Sequence, residues 1–264
     1  MDNGIYFNIS SKEYHSLPTE IVSNSYLSKL NKCPAAAKIP TKETESMIFG
    51  RAAHTLILEG KEAFENQFAI CEPIDKRTKD GRETHRLFKE ANIAKDIIMQ
   101  EDYNVLVGMA TAVQSHPFET QLLHEGISES TIIWTDEETG IQCKCRPDRT
   151  PANNKGVLVD LKTTQDINSF RKSVLGYGYA RQAAFYTEGV KKITGENYDA
   201  FAFIAVEKDP PYRTEVFVLD SDYMQWGYNE NHRLLRIEKE CRDKNHWPHY
   251  QNAGAEDLFK PVYL

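Results

Sequence analysis

Residues 156–166, GVLVDLKTTQD, constrain this chain more than any other stretch. Val157, Leu158, Val159 and Leu161 form an apolar run of the length and composition of a buried strand. Asp160 and Lys162 stand inside that run. A buried charge is costly unless it is paired or binds a metal. Side chains alternate faces along a strand, so Leu158, Asp160 and Lys162 share one face and Val157, Val159 and Leu161 share the other. Any fold built on this strand must therefore supply partners for two charges at one point of its core.

The flanking patterns show what surrounds the strand. Upstream, the period is helical. Residues 23–39 open on Ser and Asn as N-cap candidates and read as a helix that Pro34 interrupts or restarts. Residues 43–60 read as a stronger helix, with Met47, Ile48, Ala52 and Leu56 on its apolar face and Gly60 as its stop. Residues 81–100 and 102–118 read as two more helices. The period then shortens to two. Residues 126–136 and 141–150 read as strands joined by DEETG, a hairpin turn. Residues 168–195 are helical in their second half. Residues 198–220 read as a strand, a turn at Pro210 and Pro211, and another strand, and residues 222–243 as a final amphipathic helix. The expected class is α/β: a mixed central sheet flanked by helices, in one domain of 264 residues. Its core spans 45–220, with helical additions at 1–44 and 221–264.

Composition narrows the classes of function. Hydrophobic residues make up 40% and charged residues 27%, as in an ordinary globular protein. No apolar stretch approaches the roughly 18–20 residues of a membrane span. The opening MDNGIYFNIS has neither a basic n-region nor an apolar h-region, so the expected location is cytoplasmic. The five cysteines are scattered, form no CxxC pair and read as free thiols. A formal net charge of −7 argues against diffuse coating of nucleic acid but not against a nucleic-acid enzyme, whose metal-binding carboxylates lower the net charge. There is no GxxxxGK[ST] loop and no GxSxG elbow, and GYGYAR at 176–181 lacks the third glycine of a dinucleotide fingerprint. The chain is not expected to use ATP.

Asp148 completes the chemical pattern. By alternation it lies with Gln142, Lys144 and Arg146 on one face of the preceding strand. If the two strands are neighbours, Asp148 and Asp160 converge near the strand ends. Two carboxylates supply hard oxygen ligands for Mg²⁺, which also binds substrate phosphate. A lysine beside them can orient or deprotonate an attacking water, or stabilise the charge that builds on phosphorus. Phosphodiester hydrolysis by a bound metal calls for such a set.

The run Pro147-Asp148 … Asp160-Leu161-Lys162 resembles the PD-(D/E)xK nuclease signature, with the loop RTPANNKG between its two halves. Two further stretches resemble motifs of the RecB-like branch of that superfamily. They are Gly50-Arg-Ala-Ala-His54 upstream of the hairpin and Gln182-Ala-Ala-Phe-Tyr186 after the third strand. Gln182 and Tyr186 are four apart and share a helix face. Over its whole length the chain is similar to the C-terminal nuclease domains of the RecE exonuclease (exodeoxyribonuclease VIII) family.

The resemblance implies a restriction-endonuclease-like core and a Mg²⁺-dependent exonuclease, with Mn²⁺ able to substitute, that degrades linear double-stranded DNA 5′→3′ from its ends. The 3′ single-stranded tails it leaves would serve recombination by strand annealing. It also implies a ring-shaped homotetramer, cooperation with the single-strand annealing protein RecT, and a place in the C-terminal part of a longer protein. Carried over by position, His54, Asp148, Asp160 and the Leu161 carbonyl are metal ligands and Lys162 is catalytic, with Asp148 and Asp160 sharing that role. Gln182 and Tyr186 contact the DNA backbone or brace the site. Arg171, Lys172 and Arg181 flank the site in sequence and are candidates for DNA phosphates. Glu129, on the first hairpin strand, is a candidate additional ligand or supporting acid. Two rivals stand beside this reading: a restriction-type or structure-selective endonuclease on the same core, and a non-catalytic DNA-binding module.

Overall fold

The computed structural model describes residues 1–124, 126–151, 156–198 and 200–250. The chain begins with strand β1 (Gly4–Tyr6), helix α1 (Ser11–Ser16), strand β2 (Val22–Ser23) and helices α2 (Asn24–Leu30) and α3 (Pro34–Ala37). Ser10 and Ser23 cap α1 and α2 through their hydroxyls, and Pro34 opens α3 at its first turn, where a missing N–H costs nothing. Helix α4 (Glu45–His54) runs into one π-helical turn at Thr55–Glu59, which Gly60 closes. Helix α5 (Lys61–Gln67), strand β3 (Phe68–Cys71), helix α6 (Lys79–Ala91), strand β4 (Asp96–Met99) and helices α7 (Gln100–Ser115) and α8 (Pro117–His124) follow.

Strands β5 (Gly126–Ser128), β6 (Thr131–Thr135), β7 (Gln142–Cys145), β8 (Arg149–Pro151) and β9 (Val157–Thr164) come next. A short 3₁₀ turn leads to α9 (Phe170–Gly176) and α10 (Tyr179–Thr194). Strands β10 (Ala200–Glu207) and β11 (Thr214–Val218) and helix α11 (Ser221–Asp243) complete the order.

Two sheets carry the core. One has the order β11-β10-β9-β8-β5 and the other β1-β6-β7-β2; β3 and β4 form a separate parallel pair. Strand β9 pairs parallel with β10 and antiparallel with β8, so the sheet is mixed and β9 is central. Both of its faces are covered, as expected for a strand joined to its parallel neighbour through helices. Leu158 packs with Phe201, Phe203 and Ala205 beneath α10 and α11. Val159 and Leu161 pack with Ala202, Ile204 and Val206 against α4, α7 and α8. Each fully buried side chain of this size contributes about 1.5–3 kcal/mol.

The architecture matches the α/β expectation, and four local expectations need correction. The hairpin turn joins β6 and β7, but each hairpin strand is broken, and its outer half belongs to the other sheet. The break falls at Glu129, whose φ of 57° lies in the left-handed region, and at 146–148, where Asp148 sits in a bend rather than on a strand. The expected helix 81–100 ends at Ala91, and Asp96–Met99 is instead a strand, because its apolar run finds a partner in Phe68–Cys71. Residues 1–44 are not a purely helical addition: β1 and β2 flank β6 and β7. Lys144 and Arg146 turn toward this segment, donating to the carbonyls of Tyr14 at 3.0 Å and Ile9 at 2.6 Å. Residues 152–155 of the expected RTPANNKG loop lie outside the described residues.

Candidate active site

The charged face of β9 meets its partners where the hairpin changes sheets. Asp160 is 1% exposed and Asp148 is 6% exposed. The bend at 146–148 turns the Asp148 carboxylate onto β9, and its Oδ2 accepts the Leu161 N–H at 2.7 Å. The same oxygen lies 3.2 Å from His54 Nδ1, delivered by the last residue of α4. The two buried alanines before His54 pack that helix into the core. The Glu129 N–H donates to the Asp148 carbonyl at 3.3 Å, stitching the two strand breaks together. Ligand atoms of His54, Glu129 and Asp148 all lie within 4.8 Å of one another.

Asp160 is held from two other sides. Gln182 Nε2 donates to its Oδ1 at 2.6 Å. The Lys162 ammonium lies against Oδ2 as an ion pair. Lys162 Nζ also sits 4.9 Å from the ring centre of Tyr179 and 5.8 Å from that of Phe203. An ammonium over aromatic faces is stabilised by their negative quadrupole, which fixes where the charge sits.

The electrostatics follow from burial and crowding. Burial alone would lower the His54 pKa, but the charges of Asp148, Asp160 and Glu129 outweigh it and raise it to about 9. Burial and the neighbouring Asp148 carboxylate push Asp160 up to about 6, against the pull of Lys162 and His54. Asp148 goes the other way: burial opposes ionisation, but His54, Lys162 and the Leu161 N–H hold its carboxyl below the usual range. Burial works against the Lys162 ammonium, and the two aspartates more than compensate. Two carboxylates a strand apart thus hold unlike affinities for protons.

The remaining expected residues are distributed unevenly. Tyr186, on α10, is partly buried against the core, its ring centre 6.4 Å from that of Phe201, and burial drives its phenol pKa far up. Glu129 is paired with Arg146, which also donates to Thr131 Oγ1 at 3.0 Å. Arg171 and Lys172 are exposed on α9. Arg181 is not an exposed phosphate contact: it is 6% exposed, and its guanidinium reaches Ser28 Oγ at 3.4 Å. Gly178, at φ 70°, makes room for it, since a Cβ there would come within 2.3 Å of Arg181 Nη2. No motif in the sequence marks Tyr179 or Arg146 as part of the site. Tyr179 stands three residues before Gln182, a spacing that puts both on one helix face.

The donor set suits a hard or borderline divalent cation: an imidazole and two or three carboxylates, with ligand atoms of His54, Glu129 and Asp148 within 4.8 Å of one another. Among the described residues no helix is long and apolar enough to cross a membrane.

Comparison with known proteins agrees with this geometry. No curated protein matches the chain. A solved structure of a candidate exonuclease from Eubacterium rectale superposes with a TM-score of 0.59 at 15% identity, covering 98% of this chain and 97% of that one. That likeness establishes the fold. An alkaline exonuclease from Laribacter hongkongensis aligns over 89% of this chain and 97% of its own, at 11% identity and a TM-score of 0.29, too low to add weight. The model of a PDDEXK-like domain of unknown function matches residues 23–260. The chain belongs to this PDDEXK-like family of nuclease-type domains.

Proposed function

We propose that the protein is a divalent-metal-dependent DNA exonuclease that hydrolyses linear duplex DNA from its ends. The observation that carries this reading is the convergence of Asp148, Asp160, Lys162, His54 and Gln182 around residues 160–162 of β9. His54, Asp148 and Asp160 would hold the ion, with Glu129 and the Leu161 carbonyl as further donors. Mg²⁺ is the preferred ion and Mn²⁺ a substitute, and the bound ion supplies Lewis acidity and charge neutralisation at the scissile phosphate. Lys162, fixed between Asp160 and the Tyr179 ring, orients the attacking water and donates to the phosphate as negative charge builds. Gln182 holds the Asp160 carboxylate in one orientation. Tyr186 packs behind it. Exposed Arg171 and Lys172 contact DNA phosphates.

The resemblance noted above extends this reading to 5′→3′ polarity, 3′ tails for strand annealing, a ring-shaped homotetramer and a RecT-type partner. One experiment tests the core of it. A linear duplex labelled at one 5′ end and a covalently closed plasmid are incubated with the protein, with Mg²⁺ and with EDTA. Release of labelled mononucleotide or short oligonucleotide only with Mg²⁺, and an intact plasmid, are expected. Cutting of the closed plasmid would make the enzyme an endonuclease, and inactivity on both substrates would leave a binding module.

A further inference from the structure

A second group of metal-type ligands lies away from β9, at the far end of β6. Asp136 follows that strand, Glu188 stands on α10 and His232 on α11. Their ligand atoms all lie within 4.8 Å of one another. A cavity of about 440 Å³ opens beside them. None of the three takes part in the site described above.

Charge makes the group unusual. The cavity wall carries the carboxylates of Asp136, Glu137, Glu138 and Glu188 and the cations of Lys192 and Arg236. Both cations are committed. Lys192 pairs with Glu137 at 2.8 Å, and Arg236 grips Glu138 at 2.6 and 3.3 Å. Asp136 and Glu188, with side chains only 3% and 8% exposed, are left facing a single imidazole. Asp136 uses Oδ1 to accept from the Thr139 N–H and hydroxyl, and its Oδ2 has no such donor among the described residues. For the Glu188 carboxylate, the one group within ion-pair reach among the described residues is His232 Nε2, a fully buried atom that itself has no hydrogen-bond partner.

Distance separates the two ways of satisfying such a group. A protonated histidine bridging two carboxylates would sit at charge-assisted hydrogen-bond lengths of about 2.7–2.9 Å. Here Nε2 is 3.3 Å from Glu188, and Nδ1 is 3.6 Å from Glu138 and 3.9 Å from Asp136. Two ligands each about 2.0–2.2 Å from one tetrahedral ion stand about 3.4 Å apart. The Nε2–Glu188 pair has that spacing; the Asp136 distance is to the other imidazole nitrogen, and ligand atoms of all three residues lie within 4.8 Å of one another, near enough to close on one ion.

We propose that Asp136, Glu188 and His232 form a second divalent-cation site, structural in role, which ties the β6–β7 hairpin to α10 and α11. One imidazole nitrogen with two carboxylates selects a borderline ion such as Zn²⁺ or Mn²⁺ over Ca²⁺. The test uses the full chain carrying His54→Ala and Asp148→Asn, stripped with EDTA, so that the site on β9 cannot account for retained metal. Zn²⁺ alone and Mn²⁺ alone are titrated calorimetrically, bound metal is counted by mass spectrometry after gel filtration, and the melting temperature is followed. One equivalent of metal retained, with a melting temperature raised by several degrees, is expected. Adding His232→Gln should weaken binding by at least about tenfold and remove that rise. Glu188→Gln in the same background provides the same test if His232→Gln does not fold. No retained metal in the stripped double variant, or an affinity that neither His232→Gln nor Glu188→Gln changes, would overturn the assignment.

Discussion

Lys162 is placed by its neighbours rather than by its own reach. Asp160 holds the ammonium from one side and the Tyr179 face from another. Removing it leaves Asp160 with the Gln182 hydrogen bond and a pKa already raised toward neutrality, so the carboxyl can take up a proton instead of unfolding the site. Lys162→Ala should therefore lower cleavage of linear duplex by at least about a hundredfold while circular dichroism and DNA binding stay near wild type. Wild-type cutting by that variant would dismiss the lysine from the chemistry. His54 gives a second test. Its pKa is raised from 6.5 to about 9, so the stability it lends the metal-free protein is complete below about 6.5 and is lost as pH rises through about 9. An incoming cation must displace that proton. Apparent metal affinity should rise about tenfold per pH unit from about 7 and level off near 9, as followed by calorimetry; a flat profile would mean that His54 carries no displaceable proton.

At the scale of elements, α10 is the beam on which the Asp160 side of the site rests, and α11 braces it at close range. A Cβ on Gly227 would meet the Ala180 carbonyl oxygen at 2.2 Å and its carbon at 2.6 Å, and backbone cannot swing aside as a side-chain tip can. Gly227→Ala should cost about 1–3 kcal/mol by overpacking, despite the better helix propensity of alanine, and lower the melting temperature in a thermal scan. A rise in melting temperature would show that the two helices can part cheaply. Much of this scaffold is legible in the sequence. The alternation in VLVDLK separates the faces of β9, and the spacing of Gln182 and Tyr186 identifies the face of α10. What escapes is whatever depends on a distant partner. DIIM at 96–99 has no period long enough to distinguish strand from helix, and only its pairing with Phe68–Cys71 decides. Arg181 looks like a surface cation until α11 covers it and Asn231 takes its carbonyl at 2.8 Å. Asp136, Glu188 and His232 are far apart in the chain and share no motif; folding alone brings them together.

For the molecule as a whole, the broken hairpin matters most. It runs through both sheets, and the candidate active site lies where it passes from one to the other. At Glu129 and at 146–148 neither ladder is continuous, and side chains replace strand partners: Asp148 accepts the Leu161 amide, and Arg146 holds Glu129. The two sheets are each well cored, so the joint between them is the least cooperative part of the central architecture. Amide hydrogen exchange reads this directly. Amides at 129–131 and 146–149 should exchange through small local openings in the metal-free protein, while those at the centre of β10 exchange only on global unfolding. A divalent cation should slow the first group and leave the second unchanged. The metal would then act as the rivet of a seam, and an enzyme of this design would become rigid at its working edge only once it is loaded.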